Sequence, residues 1–198
     1  MTAIEILRKY AKEKHGLDSD KELVIFGCRG IEIRNNEFYF NQNPIDSWDD
    51  SIIFLSQEQE KTYLGTVDPG LYFMNQPMNP DGTGRVEPGV LWFKRGIHKT
   101  YKALIQARPV VLMRDSNRDH EFGNEDKLHK GMFAINLHGA SGTDKVGRSS
   151  AGCVVVKLLS WSKEFKELMA WIYGHDQKEF PCVILDHKSL SLFIGGMK

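Results

Sequence analysis

Between Gly131 and Lys157 the chain reads GMFAINLHGASGTDKVGRSSAGCVVVK, two strand-type runs bracketing a polar, glycine-rich loop. In the first run, Phe133, Ile135 and Leu137 alternate with Met132, Ala134, Asn136 and His138. An extended segment with that alternation buries its apolar triplet and presents His138 on the opposite face. The loop runs from Gly139 to Gly152, and Cys153 opens the second run, Cys153-Val154-Val155-Val156. Two strand ends joined by one loop can set a thiol beside an imidazole. An imidazole can accept a thiol proton when a third group holds the ring in the right tautomer. Gly139 after His138, and Gly152 before Cys153, leave backbone uncovered at both points. The carbonyl near Gly139 is therefore the candidate to orient the ring. The amides around Gly152 and Cys153 are candidates to receive an oxyanion. On this reading His138 lowers the thiol below its free value of about 8.5. The plain alternative is packing: a cysteine opening a valine-rich strand is often a small buried hydrophobe.

The rest of the chain is punctuated by short apolar runs. Ile4, Leu7, Tyr10 and Ala11 recur at helical spacing, with Gly16 as a stop. Leu23–Phe26, Ile31–Ile33, Phe38–Phe40, Ile52–Leu55, Thr62–Leu64, Val90–Phe93 and Pro109–Met113 read as strands. Asp68-Pro69-Gly70 has the residues of a tight turn, and Met74 to Gly89 reads as an irregular Pro/Gly/Asn-rich loop. Lys99 to Ala107 reads as a short helix with Tyr101, Leu104 and Ile105 inward. After Cys153, Ser162 caps a helix whose stripe is Phe165, Leu168, Met169 and Ile172, ending near Gly174. Cys182–Leu185 and Leu190–Ile194 read as closing strands. The expected fold is a β-rich α+β single domain of mostly antiparallel short strands, a sandwich or partly open barrel, with about three helices. Residues 1–60 form a helix and strands packed on the main domain, and residues 61–198 form the domain that carries the site.

The 198 residues contain 26 Lys plus Arg and 26 Asp plus Glu, so no long-range field favours nucleic acid or an anionic membrane surface. No apolar run approaches the ~20 residues of a membrane-spanning helix. Met1 to Tyr10 is charged and amphipathic, and no signal peptide is read there. Three widely spaced cysteines, Cys28, Cys153 and Cys182, make no disulfide framework. Asp115 to Asp119 superficially alternates oxygens like a calcium loop, but His120 stands at the sixth position and Asp126 at the twelfth. It reads as a solvated acidic turn, and neither a metal nor another cofactor is expected.

His138-Gly139, a polar loop, then Ser150-Ala151-Gly152-Cys153 and a β-branched run resemble the signature of L,D-transpeptidase catalytic domains, the YkuD-like family. That signature is His-Gly, then Ser-His-Gly-Cys followed by an aliphatic residue and often an arginine. Here Ala151 stands where the second histidine is common, and Val155 near where the arginine is expected. Asp68-Pro69-Gly70, Gly96-Ile97-His98, Tyr101-Lys102-Ala103-Leu104 and Arg114-Asp115 look like a divergent branch met in phage and prophage sequences. The resemblance implies a cysteine acyltransferase or carboxypeptidase. Cys153 would attack a peptidoglycan stem tetrapeptide, His138 would move the proton, and Gly139 would be part of the catalytic motif. Arg148 is the candidate for a substrate carboxylate, Ser150 for ordering the loop, and His98 and Tyr101 for lining the same cleft. A degenerate wall-binding or structural module, and a Cys-His amidase or peptidase of other specificity, are the alternatives. The setting implied is the cell wall, reached by lysis, virion carriage or specialised secretion as an antibacterial effector. A virion component or an immunity protein would be the partner.

Overall fold

A computed structural model describes residues 1–142 and 144–197. Helix α1 (Ala3–His15) starts with a capping box. The Thr2 hydroxyl accepts from the Glu5 amide at 3.2 Å, and the Glu5 carboxylate accepts from the Thr2 amide at 2.8 Å. It stops at Gly16, which has φ +69°. The chain continues through β1 (Val24–Arg29), β2 (Ile31–Arg34), β3 (Glu37–Phe40), β4 (Asp50–Leu55) and β5 (Glu60–Thr66). A one-turn helix α2 (Leu71–Asn75) follows, then β6 (Gly84–Val86), β7 (Gly89–His98), β8 (Tyr101–Gln106), β9 (Val110–Arg114), β10 (Lys127–Gly131) and β11 (Asn136–Ala140). The last elements are β12 (Val154–Leu159), α3 (Lys163–Gly174), β13 (Glu179–Asp186) and α4 (His187–Gly196).

Eight strands close a barrel in the order β1-β13-β7-β8-β11-β12-β5-β4. The expected β-rich α+β domain is present, closed instead of sandwiched or partly open. Among the described residues only β1–β13 and β11–β12 pair in parallel. A second sheet, β10-β9-β6, and the hairpin β2-β3 lie beside the barrel. The boundary expected at residue 60 falls at the first residue of β5, a barrel strand that pairs with β4. The first sixty residues therefore supply two barrel strands, β1 and β4, besides α1.

Apolar burial explains the closure. Ile25, Ile52, Phe54, Leu91, Phe93, Leu137, Val154, Val156, Phe180 and Cys182 share one cluster with Phe165, Leu168, Met169 and Ile172 of α3. A second cluster joins Val24, Phe26, Cys28, Ile53, Leu55, Val183 and Leu185 to α1 and α4. Alternate residues of β1, β4 and β13 thus face different cores, which is why these strands read as unbroken apolar runs.

Two segments differ in type from the sequence expectation. Lys99 to Ala107 is the turn and second strand of the β7–β8 hairpin, with His98 opposite Tyr101 and Phe93 opposite Gln106. Pairing on both sides, to β7 and to β11, overrides whatever helical spacing Tyr101, Leu104 and Ile105 have. Leu190 to Ile194 lies in α4, capped by the Asp186 carboxylate accepting from the Ser189 amide at 2.8 Å. Leu190, Phe193, Ile194 and Met197 meet the second cluster at helical spacing. Helices therefore number four among the described residues, including α2 and α4. The irregular stretch Met74 to Gly89 contains β6. Gly70 caps α2 with an ordinary φ of −77°, and no positive-φ turn forms there. A Cβ at that position would lie 2.2 Å from the Gly147 carbonyl oxygen, so close backbone approach is what requires glycine.

Candidate active site

The parallel pair β11–β12 aligns Leu137 with Val154 and His138 with Val155. Leu137, Val154 and Val156 belong to the barrel core, whereas Ala140 and Val155 belong to a small outer cluster against which Cys153 packs. By strand alternation Asn136 and His138 also lie on that outer face. The regular strand is shorter than the alternating sequence run, because Met132 to Ile135 precede it and Ala134 has φ +56°. The alternation of burial nevertheless continues: Ile135 and Leu137 are buried and Met132 is exposed.

His138, Cys153, Asn136 and His98 line one cleft of about 640 Å³. The His138 Nδ1 lies 2.8 Å from the Gly139 carbonyl oxygen. A carbonyl only accepts, so Nδ1 carries the proton of the neutral ring and Nε2 keeps its lone pair. The Asn136 backbone amide donates to the Cys153 sulfur at 3.5 Å, and the Asn136 side-chain amide lies 2.9 Å from His98 Nδ1. The His98 and His138 rings stack with centroids 4.2 Å apart and planes 2° from parallel. Among the described residues no hydrogen bond joins the thiol directly to His138. The two face the same space without touching as donor and acceptor.

Electrostatics correct the expectation of a lowered thiol. Burial is the leading influence on Cys153 and pushes it above its ordinary value, partly offset by the Asn136 amide and by Lys99. Burial also leads in driving His138 down to about 3, with His98 and Lys99 adding to it and the Gly139 carbonyl opposing. The pair therefore rests as neutral thiol and neutral imidazole.

The loop before Cys153 is organised by Ser150. Its hydroxyl donates to the Cys153 carbonyl at 3.0 Å and accepts from the Gly152 amide at 3.1 Å. That bond occupies the Gly152 N–H, one of the two amides, with that of Cys153, expected from sequence to receive an oxyanion. The serine two residues before it was the signal for this local turn. Gly152 has φ +114°, and a Cβ there would lie 2.2 Å from the Gly84 carbonyl oxygen. Position 152 thus serves backbone geometry.

Arg148 lines the cleft with its guanidinium 3.9 Å from the Tyr72 ring centroid. His98 lines it too, but Tyr101 does not. Tyr101 meets His98 edge-on at 5.6 Å and borders the neighbouring pocket of Ser160 and Phe165. Lys99, Arg114 and Asn136 are cleft residues to which the sequence reading assigned no role. Asn136 shares strand parity with His138, and Arg114 ends a strand, so both had a legible signal. Lys99 had none, because its place depends on the hairpin turn, where it takes φ +55°. Asp115, read as part of a solvated turn, is buried at 1% exposure, and burial raises its carboxyl. No group of three or more His, Cys, Asp or Glu is arranged to hold a metal among the described residues. No helix among the described residues is long and apolar enough to cross a membrane. The chain matches no family profile, no curated protein and no solved structure.

Proposed function

We propose that the protein is a peptidoglycan-modifying cysteine enzyme, an L,D-transpeptidase or L,D-carboxypeptidase acting on stem tetrapeptides through a Cys153 thioester. The observation that carries this reading is the tie between His138 Nδ1 and the Gly139 carbonyl, which reserves Nε2 as a base in the cleft that holds the thiol. The Cys153 sulfur attacks the carbonyl of the L-centre residue while Nε2 takes the thiol proton. Collapse of the tetrahedral intermediate breaks the C–N bond, and the same proton passes to the departing D-alanine amine. An incoming amine or water then gives its proton to Nε2 as it displaces sulfur, which recovers the proton. Where Ala151 replaces the second histidine of the resembling signature, His98 enters the cleft from β7. The lining residues include Lys99, Arg114 and Arg148 and no Asp or Glu, which suits a peptide bearing free carboxylates.

The test is incubation of wild type and Cys153→Ala with a disaccharide-tetrapeptide, read by mass. Loss or exchange of the terminal D-alanine by wild type alone is the expected result. An unchanged tetrapeptide, or one altered equally by Cys153→Ala, contradicts the reading. Cleavage at another bond would favour a Cys-His amidase.

A further inference from the structure

A second pocket of about 360 Å³ lies on the other side of α2: Phe73 of that helix borders the thiol cleft and Met74 borders this one. Two ionisable side chains that line it each keep a buried polar atom without a hydrogen-bond partner. Asp49 is 9% exposed, and its buried Oδ2 has no hydrogen bond. Arg85 forms no salt bridge among the described residues, and its buried Nε is also without a partner. The guanidinium stacks 4.5 Å from the Phe122 ring centroid. Their neighbour Asp68 is committed elsewhere, accepting from Arg29 Nε at 2.8 Å and from Asn43 Nδ2 at 2.6 Å. The charge of Asp68 also acts on the half-buried Arg85, but the Nε of Arg85 and the Oδ2 of Asp49 stay without a hydrogen bond. Buried polar atoms without partners are costly, so a donor-type atom and an acceptor-type atom left open in one pocket suit a ligand carrying both charges.

We propose that this pocket binds a small zwitterion, a free amino acid or the like, with its ammonium at Asp49 and its carboxylate at Arg85. The absence of a metal-competent cluster among the described residues favours an organic cation over a metal ion at Asp49. Burial, aided by the charges of Asp68 and Glu32, pushes Asp49 up to about 7, consistent with a carboxyl short of a cation. The volume falls at the lower end of ordinary small-molecule sites, roughly 300–1,000 Å³. This site is separate from the thiol and does not depend on the catalytic reading.

The experiment is calorimetric titration of the full chain with L-alanine, D-alanine, ethylamine and propionate, the last two being alanine without one of its charges. At least one alanine enantiomer should bind, with ethylamine and propionate each at least about ten-fold weaker. Asp49→Asn and Arg85→Gln should each weaken alanine by about ten-fold or more, and alkylation of Cys153 should leave its affinity unchanged. Three results overturn the proposal: no binding of alanine, isosteres that bind equally well, or competition from the Cys153 adduct. Wild-type affinity in either variant also overturns it. Should a variant fail to fold, the isostere series on wild type decides alone.

Discussion

The barrel wall built from β1, β4 and β13 differs from the wall built from β8, β11 and β12 in what covers it, and the cysteines record the difference. Helices α1 and α4 close the first wall, so Cys182 points into the barrel core and Cys28 into the helix-covered core, both at 0% exposure. Burial pushes both thiols up, and for neither does a hydrogen bond oppose it. The second wall meets α3 along β8 and β12 but also borders a cleft, lined in part by β6 and β9, in which Cys153 shares space with two imidazoles, an amide N–H and a lysine. Cys28 and Cys182 lie within strands, whereas Cys153 stands just before β12 begins. What covers each strand end decides which thiol reaches a cleft.

Substitutions on either wall should separate stability from reactivity. Gly152→Ala should have the largest effect, about 3 kcal/mol or more, since it combines a positive φ with a backbone collision at Gly84. Denaturant unfolding checks this, and near-wild-type stability would show that the loop before Cys153 is free to shift. Leu190→Ala on α4 should cost about 2–3 kcal/mol, because it opens a cavity under the sealed wall. The folded variant should still label at Cys153 as wild type does. A changed labelling rate would couple the two walls and break the comparison.

Acid provides a further contrast. His138 is held near 3 in the fold, against an ordinary value of 6.5. Its neutral form is what the fold retains, so its contribution is complete above about pH 6.5 and is lost as pH falls toward 3. One proton allows a slope of at most about 1.4 kcal/mol per pH unit in that window. Unfolding of His138→Asn followed between these limits should show a shallower acid-side loss than wild type. Parallel curves would mean that the ring is not buried as described. The smallest effect is expected at the other end of the molecule. Thr2→Ala removes the α1 cap and should cost about 1 kcal/mol with no effect at the cleft.

Strands buried on both faces were legible because Val24–Phe26, Ile52–Leu55 and Cys182–Leu185 are continuous apolar runs. Closure into a barrel was not, since it depends on β1 pairing with β13 from the far end of the chain. The α4 helix was misread from five residues, although Leu190, Phe193 and Met197 extend the helical period beyond them. At the site, adjacency of the β11 and β12 ends was readable from one loop and two runs. The neutral state of the dyad was not, because it follows from the depth of burial. The use of the Gly152 amide by Ser150 depends on side-chain rotamers, which spacing does not reveal.

Competitive alkylation of the native protein at neutral pH, resolved cysteine by cysteine by mass, tests the central claim most directly. Cys153 should label while Cys28 and Cys182 stay protected until unfolding. Because the resting thiol is neutral, His138→Ala should slow Cys153 about ten-fold or more, within the range of general-base assistance. Superimposed rates for wild type and His138→Ala, or labelling of Cys28 or Cys182 at a rate comparable to Cys153, would contradict the assignment of Cys153 and His138 as a working pair.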